Sequence, residues 1–250
     1  MMSSESPVIR LRGQDLSRRF GGLLAVAGLN LEIRDQEILG LIGPNGAGKS
    51  TTFNLLSGFL APSSGRLEIE GDDVTGSSPE RISQRGLVRT FQHGSLMRTM
   101  TVEDNILIGA IGGLRGSGKA ERGRRVRETA ELVGLTHLMK EVAGNLPHGL
   151  QRLVSIAIAY APRPRLLCLD EPLTGLNQTE VASVLKMFCD IRDVHGTSIL
   201  LVEHNMKAVM QTCDRLYVLH HGQLLATGTP DEIRANQQVL KAYLGNTHVD

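Results

Sequence analysis

The stretch Gly43-Pro44-Asn45-Gly46-Ala47-Gly48-Lys49-Ser50-Thr51 fits the pattern G-x-x-x-x-G-K-[ST]. Glycines at those places let successive backbone N–H groups converge on one anion, and a helix opening at Lys49 adds a favourable dipole. Lys49 can reach terminal phosphates, and the Ser50 hydroxyl can coordinate Mg²⁺. This is the chemistry of holding a nucleotide polyphosphate. Further on, the apolar run Leu166-Leu167-Cys168-Leu169 ends in Asp170-Glu171, which brings one carboxylate to a metal and the next to a water. Asp170 is the candidate metal ligand and Glu171 the candidate general base, a role worth ~10² to 10⁴ in rate. The segment Gly113-Leu114-Arg115-Gly116-Ser117-Gly118-Lys119-Ala120 repeats the glycine and lysine spacing. Ala120 stands there in place of the metal-binding hydroxyl and no strand precedes it, so it is rejected as a second nucleotide site.

These residues need a strand before the glycine loop, a helix after it and another strand beneath the acids. Ile38 to Ile42 and the amphipathic Lys49 to Leu56 supply the first two, and Leu166 to Leu169 the third. Other strand-like runs are Val8–Leu11, Leu29–Ile33, Arg66–Glu70, Val88–Phe91, Ser198–Val202, Leu216–Leu219 and Leu224–Ala226. The later ones are separated by helical patterns such as Thr179 to Val194, which predicts an α/β domain with a mostly parallel central sheet. Between Gly94 and Pro162 strand signals vanish, and Thr101-Val102-Glu103-Asp104 opens a helical pattern with a capping-box-like sequence. Residues 94–162 therefore read as a helical insertion within one domain spanning 7–250. Within it, Gly109 to Arg127 carries six glycines and the basic Arg115, Lys119, Arg122, Arg124, Arg125 and Arg127 against the single acid Glu121. That composition predicts a solvated, positively charged surface loop running into a helix, with no chemistry assigned. Thr229-Pro230-Asp231-Glu232 opens a helical tail over 229–250.

Composition narrows the class. The 250 residues carry a net charge of +1, so no global field draws the molecule onto nucleic acid, and no nucleic-acid partner is expected. The longest unbroken apolar run is Ile156 to Ala161, far short of the about 20 residues a membrane helix needs. The first residues, Met1 to Pro7, lack the basic and apolar regions of a signal peptide, and a cytoplasmic location is expected. Cys168, Cys189 and Cys213 are widely spaced among apolar neighbours and read as core thiols. With aromatics at 3% and no Trp, base-stacking platforms are not expected. No Asn-Lys-x-Asp guanine reader is present, which argues against a GTPase.

Together these motifs resemble ATP-binding cassette (ABC) ATPases over nearly the whole chain. The resemblance implies a P-loop NTPase, RecA-like core with a mostly parallel sheet, an N-terminal antiparallel β part and the inserted helical subdomain. It implies ATP and Mg²⁺ as ligands, with Gly43 to Thr51 cradling phosphates. It also makes Lys49, Glu171, Gln92 and His204 catalytic, and Ser50, Gln92 and Asp170 metal-associated. Phe20, in Arg18-Arg19-Phe20-Gly21-Gly22, looks like the aromatic that stacks on adenine. Gln92, after Arg89-Thr90-Phe91, resembles the glutamine that senses Mg²⁺ and the attacking water. His204, in Val202-Glu203-His204-Asn205, resembles the switch histidine of the γ-phosphate. Thr174-Gly175-Leu176-Asn177 occupies the segment lining the dimer interface.

The chain departs from the family at the signature. The usual Leu-Ser-Gly-Gly-Gln is matched by Leu146-Pro147-His148-Gly149-Leu150, so only Leu146 and Gly149 are retained. Pro147 offers neither hydroxyl nor N–H to a phosphate, although Pro suits a helix start, and a helix from Leu150 to Ala161 is expected to survive. The expectation is a complete nucleotide site in this chain and a weakened signature lent to its partner. Within the family, Phe20-Gly21-Gly22, Arg89-Thr90-Phe91-Gln92, Glu203-His204, the segment Gly228 to Ile233 and Ala242-Tyr243-Leu244-Gly245 resemble the ATPases of branched-chain amino acid importers. That implies a second ATPase subunit, identical or different, two membrane permeases, and indirectly a periplasmic solute-binding protein. It also implies a peripheral place on the inner face of the plasma membrane. ATPases for urea or amide import, for lipopolysaccharide export, and a regulatory cassette with weak hydrolysis are the alternatives.

Overall fold

Alternate residues of the central strands go into two different cores, as the period of two along a strand requires. The computed structural model describes residues 8–90, 96–113 and 117–244. In β3 (Ile38–Ile42), Ile38 and Ile42 pack into one core and Leu39 and Leu41 into the other. The next strands of the chain are β4 (Ser64–Ile69), β5 (Asp72–Asp73) and β6 (Leu87–Arg89). The alternation of β3 recurs in β7 (Leu166–Asp170), β8 (Ser198–Val202) and β9 (Arg215–His220). Strands covered on both faces read as continuous apolar runs, which is why their limits were visible in the sequence. With β10 (Gln223–Gly228) they form a six-stranded sheet in the order β10-β9-β3-β8-β7-β6, parallel except for β10.

One core lies against a four-stranded antiparallel sheet, order β2-β1-β4-β5, built from β1 (Ile9–Phe20), β2 (Leu23–Arg34), β4 and β5. Helix α1 (Lys49–Leu56) buries Phe53, Leu55 and Leu56 there. β1 and β2 are each far longer than the runs Val8–Leu11 and Leu29–Ile33. Register shifts between Gly13 and Leu16 and between Leu16 and Arg18 break the alternation, so the pattern of one long hairpin is erased from the sequence.

α2 (Pro79–Gln84), which precedes β6, adds Ile82 to that same core, and the remaining helices cover the other face. Between β6 and β7 lie α3 (Val102–Gly113), α4 (Lys119–Leu132) and α5 (His148–Tyr160), and α6 (Gln178–Asp193) and α7 (Met206–Thr212) follow. Thr101 opens α3 as expected: its hydroxyl accepts from the Asp104 N–H at 3.1 Å and donates to the Asp104 carboxylate at 2.6 Å. α6 starts behind a capping box of Asn177 and Glu180. The tail forms two helices, α8 (Pro230–Ala235), with the Thr229–Glu232 capping box, and α9 (Gln237–Leu244).

The glycine-rich basic segment is not the loop its composition suggests. Gly109 to Gly113 ends α3, and Lys119 to Arg127 lies on α4; residues 114–116 fall outside the described ones. A Cβ on Gly109 would stand 2.2 Å from the Ile158 carbonyl oxygen, and one on Gly113 2.5 Å from that of Pro162. These glycines permit α3 to approach the backbone of α5 and its C-terminal turn.

Candidate active site

The ends of β3, β8 and β7 lie side by side at the C-terminal edge of the parallel sheet, the edge where open α/β sheets bind ligands. Five buried residues carry β3 to the glycine loop. Gly43 has φ 152 and Gly48, the residue before α1, φ 99. A Cβ would lie 2.2 Å from the Leu219 carbonyl oxygen at Gly43 and 2.7 Å from that of Ala25 at Gly48, so only glycine fits either place. Lys49 opens α1, and its Nζ donates to the carbonyls of Gly43 at 2.7 Å and Pro44 at 3.0 Å. Burial pushes the ammonium pKa down, while the charges of Glu171 and Asp170 pull it up. A cavity of about 540 Å³ opens over the loop, walled by Asn45 to Thr51 with Glu171, His204 and Leu23 opposite. Its volume suits a mononucleotide.

Asp170 is buried at the end of β7, and its amide donates to Thr90 Oγ1 at 3.3 Å. Burial pushes its carboxyl pKa up and the Glu171 charge adds to this, against the attraction of Arg89, Arg152 and His204. Glu171 follows in a left-handed conformation, φ 47, with its N–H donating to the Val202 carbonyl at 2.8 Å. Its Oε1 lies 2.6 Å from Nε2 of His204, which stands exposed just beyond the end of β8. Glu203, buried beside it, accepts from the N–H groups of Leu173 at 2.7 Å and His204 at 3.1 Å. Burial pushes the Glu203 carboxyl up, and those backbone bonds pull it down.

Lys49, Ser50, Glu171 and His204 thus share one cavity, with Asp170 at the end of the adjoining strand. Phe20 lies beside that cavity, not in its wall: it pairs across the hairpin with Leu23, is 44% exposed, and has the Arg18 guanidinium 4.8 Å from its ring centre. Gln92 and Phe91 lie outside the described residues. The strand leading to them is fastened to α1, with Arg89 donating to Asn54 at 2.7 Å and Ser57 at 2.9 Å. Pro147 is the residue before α5, which begins at His148, two residues earlier than expected, because a proline needs no N–H partner there. None of Leu146 to Leu150 lines the Lys49 cavity; Gly149 and Leu150 wall a second one of about 360 Å³ between α4, α5 and α6. The sequence reading missed His221, Glu203 and Arg152. His221 lines the nucleotide-sized cavity from the β9–β10 turn, whose Gly222 N–H donates to Ala47 at 3.0 Å. A His-Gly turn carries no chemical signal of its own; only the bond from that turn to the phosphate loop places it.

A strand, glycine loop and helix beside strand-terminal acids define a P-loop nucleotide hydrolase. A family model described as ABC transporter matches residues 26–174, and one described as branched-chain amino acid ATP-binding cassette transporter matches residues 223–249. The chain is 42% identical to the high-affinity branched-chain amino acid transport ATP-binding protein LivG of Escherichia coli, over 96% of this chain and 98% of that protein. It is 40% identical to BraF of Pseudomonas aeruginosa, of the same description, with the same shares covered. The lipopolysaccharide export system ATP-binding protein LptB of Haemophilus influenzae is 31% identical, over 94% and 97% of the two chains. Among solved structures, the ADP conformation of MJ1267, an ATP-binding cassette of an ABC transporter, superposes with a TM-score of 0.84 at 29% identity, covering 95% of this chain and 99% of that one. The chain belongs to the ABC transporter family as its ATP-binding, ATP-hydrolysing cassette.

Proposed function

We propose that this cassette powers the import of branched-chain or other hydrophobic amino acids. The meeting of Glu171 and His204 over the Lys49 cavity supports the hydrolytic part of this reading. The 42% identity to a branched-chain amino acid transport protein over 96% of the chain supports the solute, with the match at 223–249 beside it.

ATP lies with its phosphates on the N–H groups of Gly46 to Thr51. Lys49 exchanges its two loop carbonyls for terminal phosphate oxygens; burial lowers its pKa, and the charges of Glu171 and Asp170 oppose that shift. Glu171 accepts the proton of the water that attacks the γ-phosphorus; a P–O bond forms to that water while the bond to the β-phosphate oxygen breaks, releasing ADP and phosphate. His204, hydrogen-bonded to Glu171, donates toward the γ-phosphate. The residues present fit a divalent cation, because the buried Asp170 carboxyl ends the strand beside a cavity that Ser50 lines. Ser50 and Asp170 would hold Mg²⁺, and bound Mg²⁺ would supply charge neutralisation for the phosphates. Phe20 takes the adenine.

In this reading residues 7–250 are one cassette, 94–162 its inserted helical subdomain and 229–250 its tail. Its partners are a second ABC ATPase subunit and two membrane permeases, supplied by a periplasmic solute-binding protein, on the inner face of the plasma membrane. Among the described residues no helix is long and apolar enough to cross a membrane. Co-purification with the permeases, reconstitution in liposomes and measurement of solute-stimulated ATPase test this. Stimulation by leucine, isoleucine or valine supports it; stimulation by urea, or by lipopolysaccharide alone, overturns the solute assignment.

A further inference from the structure

Arg152 lies at the start of the second turn of α5, three residues beyond Gly149, yet its guanidinium ends at the strand-terminal acids. Nη2 donates to the carbonyl of Asp170 at 3.4 Å and to the carbonyl of Glu171. Its Nε is buried without a hydrogen-bond partner, and among the described residues Arg152 forms no ion pair. Its hydrogen bonds therefore go to two backbone carbonyls, with the charges of Glu203, Asp170 and Glu171 attracting the guanidinium as well, and Arg was needed there to span from a helix to the loop below it.

What it grips is unusual backbone. Glu171 is a non-glycine residue at φ 47, a conformation that persists only where the surroundings impose it. Its N–H is held by the Val202 carbonyl from β8 at 2.8 Å, and its carbonyl by Arg152 from α5. Two residues on, the Leu173 N–H is held at 2.7 Å by Glu203, whose other oxygen accepts from the His204 N–H at 3.1 Å. With the N–H held by Val202, rotation about the N–Cα bond of Glu171 moves its carbonyl and its side chain together, so release of the Arg152 contact would free the carboxylate to turn.

We propose that Arg152 is a positioning residue: it holds Glu171 in the left-handed conformation that aims its carboxylate, and so transmits the placement of the α5 N-terminus, with Pro147 to Leu150, to hydrolysis in the same chain. This rests on the reading of Glu171 as general base. Glu203 supports the same arrangement from the opposite side by joining the loop after Glu171 to the residue that carries the imidazole.

The test uses the purified full chain with Arg152→Met, which keeps the apolar stem, Arg152→Lys, Glu171→Gln, and the double variant Arg152→Met with Glu171→Gln. ATP affinity, kcat, KM and melting temperature are measured for each. Arg152→Met should lower kcat about 10- to 100-fold, the scale of a small misplacement of a reacting group, with ATP affinity within about 3-fold of wild type. Arg152→Lys should recover part of the loss through one retained hydrogen bond, and serves alone if the Met variant does not fold. In the Glu171→Gln background, Arg152→Met should change the residual rate no further. An unchanged kcat per folded molecule, or the same fold loss with Glu171 already replaced, would overturn the proposal. Failure of the wild-type chain to bind ATP would instead overturn the nucleotide-hydrolase reading beneath it.

Discussion

Nε2 of His204 and Oε1 of Glu171 stand 2.6 Å apart although the residues are 33 positions apart in sequence. The imidazole N–H and the carboxylate hold each other at the cavity where the γ-phosphate is proposed to lie, so the proposed base and its neighbour are expected to act as a unit. Glu171→Gln removes the proton acceptor while keeping the shape, and should lower kcat ~10² to 10⁴-fold with ATP affinity preserved. His204→Ala should lower kcat less, and the double variant should be no slower than Glu171→Gln alone. Single-turnover hydrolysis of each variant decides this; losses that multiply would show two independent roles.

Asp170 keeps a buried carboxyl at the end of β7 at a cost to the fold. Burial and the Glu171 charge raise its carboxyl pKa above the ordinary value. A carboxyl whose pKa rises on folding favours the folded state at pH below its unfolded value, and loses that contribution as pH rises through the folded value. At pH 8 without nucleotide or metal the ionised side chain is thus a net penalty. Asp170→Asn should raise the melting temperature there by about 2–4 °C, if the relieved penalty is on the order of 1 kcal/mol. The gain should shrink as pH falls and the wild-type carboxyl takes up its proton. Thermal unfolding followed across pH checks the sign, and the same variant should lose Mg²⁺-dependent ATP hydrolysis.

Pro147 sits immediately before α5 and makes no side-chain cap to it. In the proposed dimer the segment would face the partner's nucleotide, and neither a hydroxyl nor an N–H is available from proline. Pro147→Ser combined with His148→Gly should raise the ATPase rate of the assembled complex several-fold by adding donors toward the opposite phosphate. Steady-state phosphate release from the complex reports this, and an unchanged rate would show that these two positions do not limit hydrolysis.

Gly109 is packed against helix backbone and cannot accept a side chain cheaply. An alanine methyl there would stand only 2.2 Å from the Ile158 carbonyl oxygen, so Gly109→Ala must push α3 away from α5. The expected loss is about 1–3 kcal/mol, the cost of overpacking, against the small gain alanine gives an exposed helix site. Chemical denaturation distinguishes the two signs directly. Gly112, where a methyl would meet nothing within 4 Å, is the control and should tolerate alanine.

Much of this was legible along the chain, and what was not has identifiable causes. β3, β7 and β8 showed their limits because both faces are buried and each ends at glycine or acid. The capping residues Thr101, Asn177 and Thr229 act on N–H groups two or three residues away, so helix starts could be read locally. The β1–β2 hairpin was lost to its bulges, and the glycines of α3 resembled a loop because the backbone they accommodate lies on another helix.

The sequence by itself picked out the candidate groups of the glycine loop and the strand-terminal acids and how each is locally presented. The glycine loop, the strand-terminal Asp170-Glu171 pair and the helix starts all depend on residues within a few positions of one another. Only the tertiary structure decided that Lys49, Glu171 and His204 share a cavity, that Phe20 stands beside its wall, and that Arg152 reaches the Glu171 carbonyl. Those relations follow from the strand order β3-β8-β7 and from how α5 packs across it. Strand order and helix packing are settled by the burial of whole faces, which no short stretch of sequence encodes.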